Sequence, residues 1–107
     1  MNLDELYSKV KEKAQDLTFS KAQVDALILL DIQGEDPRKW LVTFKDQRAS
    51  IDEFQGETPD VVVSATGKTI LSIAQRTLKP TMAFLTGRLK IKGDKSLLTQ
   101  LSQIWPD

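Results

Sequence analysis

The chain has 107 residues, 40% hydrophobic and 28% charged, which is the composition of one globular domain and leaves no length for a second core. Fifteen basic residues balance fifteen acidic ones, so the basic excess of a generic nucleic-acid binder is missing and nucleic acid is not an expected partner. There is no Cys and no His, which removes disulfides, the thiol nucleophile, zinc knuckles and the commonest general base.

No apolar run approaches the roughly 18 residues that a membrane span needs. Asp4 and Glu5 stand where a signal peptide would carry basic residues, so the expected location is cytoplasmic. Leu3, Leu6, Tyr7, Val10, Ala14 and Leu17 recur at steps of three and four, which predicts an amphipathic helix over residues 3–17, capped by Asn2 or Asp4. Phe19 and Ser20 begin the connection that follows.

Val24–Ile32 is apolar almost throughout and has the length and flanks of a central strand. Gln33 to Pro37 is turn chemistry. Trp40, Val42 and Phe44 then alternate with Leu41 and Thr43, a second strand. After the polar turn Lys45-Asp46-Gln47, a third strand runs over Arg48–Phe54 with Ala49 and Ile51 inward. Two short hairpins in succession imply an antiparallel meander.

Gly56 to Pro59 breaks the meander, and Asp60–Ala65 is a fourth strand. Thr66 suits the N-cap of a helix over Gly67–Lys79, with Ile70, Ile73, Ala74 and Leu78 on its stripe. Pro80 is placed for the first turn of a second, very short helix containing Met82, Ala83, Phe84 and Leu85, which Gly87 ends. Arg88 to Lys92 alternates with period two as a fifth strand, and Asp94 can cap a last helix carrying Leu97, Leu98, Leu101, Ile104 and Trp105 before Pro106. The fold class expected from this order is α+β: a single five-stranded, mostly antiparallel sheet with helices packed on one face.

The segment Met82-Ala83-Phe84-Leu85-Thr86-Gly87-Arg88-Leu89-Lys90-Ile91-Lys92-Gly93-Asp94 resembles the signature of the sterol carrier protein 2 family. There a short helix ending in Gly, an amphipathic strand and a Gly-Asp or Gly-Asn helix start follow one another. The likeness is dense over the last half of the chain and in register, though weaker, back to Val24. It implies one lipid-binding domain over residues 1–107, with helices roofing an apolar cavity above the sheet. The implied lipid-binding residues are Trp40, Val42, Phe44, Val61, Val63, Ile70, Ile73, Ala74, Met82, Phe84, Leu85, Leu89 and Ile91. Met82 would be an adaptable filler, and Trp40 would stand at the cavity mouth. The implied function is binding without catalysis, extending to transfer, of fatty acids, fatty acyl-CoA or sterol-like molecules. No cofactor is implied. The partners are an apolar small molecule or lipid and a transient membrane surface, with the chain a monomer or homodimer. Without a peroxisomal tripeptide after Trp105, or a fused enzyme domain, the sequence looks like the stand-alone form.

Other chemistry fares less well. Asp52 and Glu53 are neighbours on a strand, so their carboxylates point to opposite faces and make a poor acid–base pair. Ala65-Thr66-Gly67-Lys68-Thr69 has the strand-to-helix setting of a phosphate loop, but the glycine required five positions before Gly67 is Val62. Helix N-terminal amides with Lys68 could still meet an anionic headgroup. Arg88, Lys90 and Lys92 share one face of the fifth strand, either as an edge kept soluble by charge or as a strip for anionic lipid. The alternative function is a protein-interaction module with a filled core. Leu27 and Leu29 favour it, because they lie on the sheet face opposite Ile28 and Leu30 and call for the first helix or a second copy to cover them.

Overall fold

The computed structural model describes residues 1–18 and 24–105, so Phe19, Ser20 and Pro106 lie outside the described residues. Its elements follow the expected order. Helix α1 spans Leu3–Asp16, and strands β1, β2 and β3 span Ala26–Gln33, Arg38–Lys45 and Arg48–Glu53. Strand β4 (Val61–Thr66) leads directly into α2 (Gly67–Ala74), then come α3 (Pro80–Leu85) and β5 (Lys90–Gly93). A single 3-10 turn over Lys95–Leu97 runs into α4 (Leu98–Ser102).

The five strands form one sheet in the order β3-β2-β1-β4-β5. Only the β1–β4 pair is parallel; the other three are antiparallel, as the meander implies. The register brings one face into line. Leu30 pairs with Trp40 and Val63, Ile28 with Val42 and Val61, and Ile51 with Val42. Period-two alternation puts all of these on the side that the helices cover, where each is no more than 5% exposed. Helix α1 lays Leu6 and Val10, both at 0% exposure, into this layer beside β3. Each such side chain contributes about 1.5–3 kcal/mol by leaving water. Tyr7 on the same helix meets Trp40 edge-on at 5.3 Å between ring centroids and donates its hydroxyl to Ile51 O at 3.3 Å.

Caps fall where the sequence places them. Asn2 Oδ1 accepts the Glu5 amide at 2.8 Å, Thr66 Oγ1 accepts that of Thr69 at 3.2 Å, and Asp94 Oδ1 accepts that of Ser96 at 3.0 Å. Arg38 ties the start of α1 to the β1–β2 loop. It donates twice to the Asp36 carboxylate and once to Asp4, at 2.7 Å for the latter. Those two partners, Asp36 first, hold its guanidinium charged even more firmly than usual.

Three elements differ from expectation. Helix α2 stops at Ala74 and does not reach Lys79, because Arg76 takes a left-handed φ of 63° and the amides of Thr77 and Leu78 both turn back to Ser72 O. Leu78 therefore belongs to a connection rather than to a helical stripe. The last helix is split, with Leu97 in the 3-10 turn and Ile104 and Trp105 beyond α4. Strand β5 begins at Lys90, since the amides of Arg88 and Leu89 are spent on Ala83 O at the end of α3.

On the open face of the sheet Leu29 is buried and Leu27 half-buried. Strands β3 and β4 run in the same direction with β2 and β1 between them, so residues 54–60 carry the chain back across both. That return is fixed by Phe54 N donating to Lys39 O at 3.0 Å and Asp60 N to Leu27 O at 2.8 Å. Between these anchors lie Leu41 and Leu29, which face away from the helices and are nevertheless only 4% and 8% exposed. Neither the first helix nor a second copy is what buries Leu29.

Candidate functional site

Helices α2 and α4 do not sit flush on the sheet. Between them and the strands lies a cavity of about 490 Å³, within the range of about 300–1,000 Å³ typical of small-molecule sites. Its floor is Leu30 of β1, Val63 of β4 and Leu89 ahead of β5. Ile70 and Ile73 of α2 form one wall, and Leu98 and Leu101 of α4, with Trp105, form the other. The connection left by the early end of α2 contributes Arg76, Leu78, Lys79 and Pro80, and Ser102 completes the lining. Of these, Arg76, Lys79, Pro80 and Ser102 are exposed, which places the mouth at that connection. Among the described residues, the only charged side chains on the lining are the two cations, Arg76 and Lys79.

The residues that the resemblance assigns to lipid divide into three groups. Val63, Ile70, Ile73 and Leu89 line the cavity. Trp40, Val42, Phe44, Val61 and Ala74 are buried in the core and are not on its wall, and Ile91 is half-buried beside Val63. Trp40 is fully buried against Tyr7, so it does not stand at a mouth. Met82, Phe84 and Leu85 turn outward, at 49%, 41% and 76% exposure, while Ala83 between them is the one residue of α3 that is buried. Leu30, Leu78, Leu98, Leu101 and Trp105 line the cavity without having been singled out. The apolar spacing of Leu98, Leu101 and Trp105 was the available signal for the last helix; nothing in the sequence distinguishes Leu30 from its neighbours on β1.

A second, more polar recess of about 540 Å³ lies on the other side of α2. Lys68, Thr69 and Ser72 face it from the helix, and Arg88 and Lys90 from the approach to β5 and the strand itself. Leu78 borders both cavities. Here the strand-to-helix turn at Ala65–Thr69 is a capped helix start: Thr66 Oγ1 takes the Thr69 amide and lies 3.1 Å from the Thr69 hydroxyl. Lys90 and Lys92 project from an edge strand on the face opposite Ile91 and are both exposed.

Titratable groups with catalytic character are scarce. Asp94 is held below the usual carboxylate range by the Ser96 hydroxyl and then the Ser96 amide, which is the signature of a cap. Among the described residues no three acidic side chains gather as a metal site would require, and no helix is long and apolar enough to cross a membrane. The arrangement is suited to holding an apolar molecule.

Comparison with known proteins agrees. The pattern of the SCP-2 sterol transfer family matches residues 3–105. The human protein named hydroxysteroid dehydrogenase-like protein 2 is 31% identical over 103 residues, covering 95% of this chain and 24% of that protein. The zebrafish (Danio rerio) protein of the same name is 35% identical over 77 residues, covering 69% of this chain and 18% of that protein. The chain thus spans about a quarter or less of the length of these curated relatives. Among solved structures, palmitated sterol carrier protein 2-like 2 from Aedes aegypti superposes with a TM-score of 0.79 at 22% identity, covering 97% of this chain and 94% of that one. The apo form of sterol carrier protein 2 from Yarrowia lipolytica gives 0.71 at 13% identity, covering 92% and 85%. At these identities the structures establish a shared fold.

Proposed function

The chain belongs to the SCP-2 sterol transfer family, a family of lipid-binding and lipid-transfer domains, and from that premise we propose that it takes up lipids, fatty acids first, in the cavity between α2, α4 and the sheet. The observation that carries this reading is the pairing of an apolar interior with a cationic mouth. Ile70, Ile73, Leu89, Leu98 and Leu101 offer no polar group to a ligand, so they favour a hydrocarbon chain. Each methylene moved there from water gains about 0.8 kcal/mol. Arg76 and Lys79 at the mouth favour a carboxylate at the end of that chain. Fatty acyl-CoA and sterol-like molecules belong to the same class of candidate, and the palmitated state of the Aedes protein supports the fatty acid. The chemistry is binding and release alone, with transient contact at a membrane surface as part of the cycle.

Native mass spectrometry of the freshly purified chain, followed by solvent extraction and lipid identification, tests the proposal together with titration of a fluorescent fatty-acid probe. A discrete lipid adduct and saturable probe binding are expected, both lost in Ile73→Glu, which puts a charge on the wall at a half-buried position. Absence of both adduct and saturable binding in the unaltered chain would overturn the reading.

A further inference from the structure

The neutral overall charge conceals a strong asymmetry. From Val61 to Gly93 the chain carries Lys68, Arg76, Lys79, Arg88, Lys90 and Lys92 and not one Asp or Glu. The same stretch contains α3, whose Met82, Phe84 and Leu85 are exposed at 49%, 41% and 76% and are the only large apolar side chains in any described helix to stand so open. Lys95 Nζ sits 5.0 Å from the Phe84 ring centre, adding a further cation at the edge of this patch. The first residue of α3, Pro80, and its neighbour Lys79 line the mouth of the lipid cavity.

We infer that α3 is a docking tip by which the chain seats itself on an anionic lipid bilayer, with Leu85, Met82 and Phe84 entering the interfacial layer and Lys79, Arg88 and Lys95 beside it meeting the headgroups. Short apolar segments ringed by Lys and Arg bind membrane interfaces by this combination of modest insertion and charge attraction. The position of the tip gives it a purpose, since a bilayer engaged by α3 lies against the opening that Lys79 and Pro80 border. In that respect the inference rests on the lipid-binding reading and extends it to the donor surface.

A second copy of the chain fits the patch poorly. Two such tips would bring like charges together, and three side chains on a six-residue helix fall well short of the roughly 800 Å² per partner of a standard interface. An anionic surface has the complementary charge and no minimum area.

The chain has no native cysteine, so Leu85→Cys accepts one environment-sensitive fluorophore, and Ser50→Cys, exposed on β3, provides the control. Vesicles of phosphatidylcholine alone and of phosphatidylcholine with phosphatidylserine are the probes. A blue-shifted, brightened signal at position 85 with the anionic vesicles only, abolished by high salt and absent from position 50, is the expected result. In the otherwise native chain, vesicle co-sedimentation should fall about tenfold for Leu85→Ser. It should fall about 25-fold or more for Lys79→Glu combined with Arg88→Glu. Equal response to both vesicle types, or co-sedimentation indifferent to these substitutions, would overturn the inference. So would a shift at position 85 produced by self-association without vesicles. Probe titration of the unaltered chain in vesicle-free solution reads the cavity separately, so failure of docking and failure of lipid binding are told apart.

Discussion

Gln100 holds Val24 by both of its backbone groups. The side-chain oxygen of Gln100 accepts the Val24 amide at 3.0 Å, and the side-chain nitrogen donates to the Val24 carbonyl at 2.9 Å. One amide side chain thus stands in for a strand partner just ahead of β1, and it does so from α4, the helix that supplies Leu98 and Leu101 to the cavity wall. Gln100 is only 8% exposed, whereas Val24 is half in solvent. In Gln100→Leu, of similar size, both bonds are lost and water can reach only part of what they satisfied. We expect a loss of about 1–2 kcal/mol in urea unfolding. Fatty-acid probe affinity should fall as well, although residue 100 is not on the wall. An unchanged midpoint would show that the α4 wall is held by its leucines alone.

The strands were legible because their alternation is strong and their turns are written plainly. Trp40, Val42 and Phe44 fixed which face of β2 is buried, and the turn after Lys45 fixed its partner, with Asp46 and Gln47 both at positive φ as a two-residue hairpin turn requires. The parallel pairing of β1 with β4 was not legible, since it depends on residues 54–60 crossing the sheet without any periodic signal. The end of α2 was missed because Ile70, Ile73, Ala74 and Leu78 keep helical spacing through a break made by the backbone of Arg76. Likewise, the consecutive apolar residues of α3 have no period that says which faces inward, and packing chose Ala83. Of the residues that the resemblance assigns to lipid, Val63, Ile70, Ile73 and Leu89 line the cavity, because there the spacing of side chains and the position of the helices coincide.

Gly93 closes β5 where no side chain fits. Its φ is 110°, a region that L-residues rarely occupy, and a Cβ there would collide with Asp60 O and lie 3.0 Å from Val61 Cα. Both neighbours are backbone, so no rotamer relieves the clash. Gly93→Ala should lower stability by about 1–3 kcal/mol from backbone strain, with the displacement of β5 from β4 adding to it. Unfolding by urea measures the first, and exchange of those β5 amides that pair with β4 the second. Retention of full protection there would mean that the edge strand tolerates a shift of the Asp60 carbonyl.

Asp94 gives the chain an acid-sensitive joint between β5 and the 3-10 turn. Its carboxylate accepts from the Ser96 hydroxyl at 2.6 Å and the Ser96 amide at 3.0 Å, and these bonds lower its pKa from the ordinary 3.8. A depressed carboxylate stabilises the fold fully above its unfolded-state pKa, and the contribution disappears as pH falls through the folded-state value. Asp94→Ala should therefore unfold at lower urea than the unaltered chain from neutral pH down to mild acid, with the gap closing below the carboxylate range. Asp94→Asn, which keeps an acceptor oxygen, should lie between them at neutral pH. A gap independent of pH would show that the carboxylate charge contributes nothing.

The two tryptophans offer a direct readout of where a ligand goes. Trp105 lines the cavity, whereas Trp40 is fully buried beneath α1 and not on its wall. A fatty acid entering the cavity replaces water against the Trp105 ring and leaves the surroundings of Trp40 unchanged. Titration should then alter tryptophan emission in the unaltered chain, and Trp105→Phe should abolish that response while retaining binding by an independent probe. Trp40→Phe loses core volume and stability but should keep the response. The contrary pattern, a response that survives Trp105→Phe and vanishes with Trp40→Phe, would mean that the ligand parts the core between α1 and β2, and the cavity under α2 and α4 would not be its site.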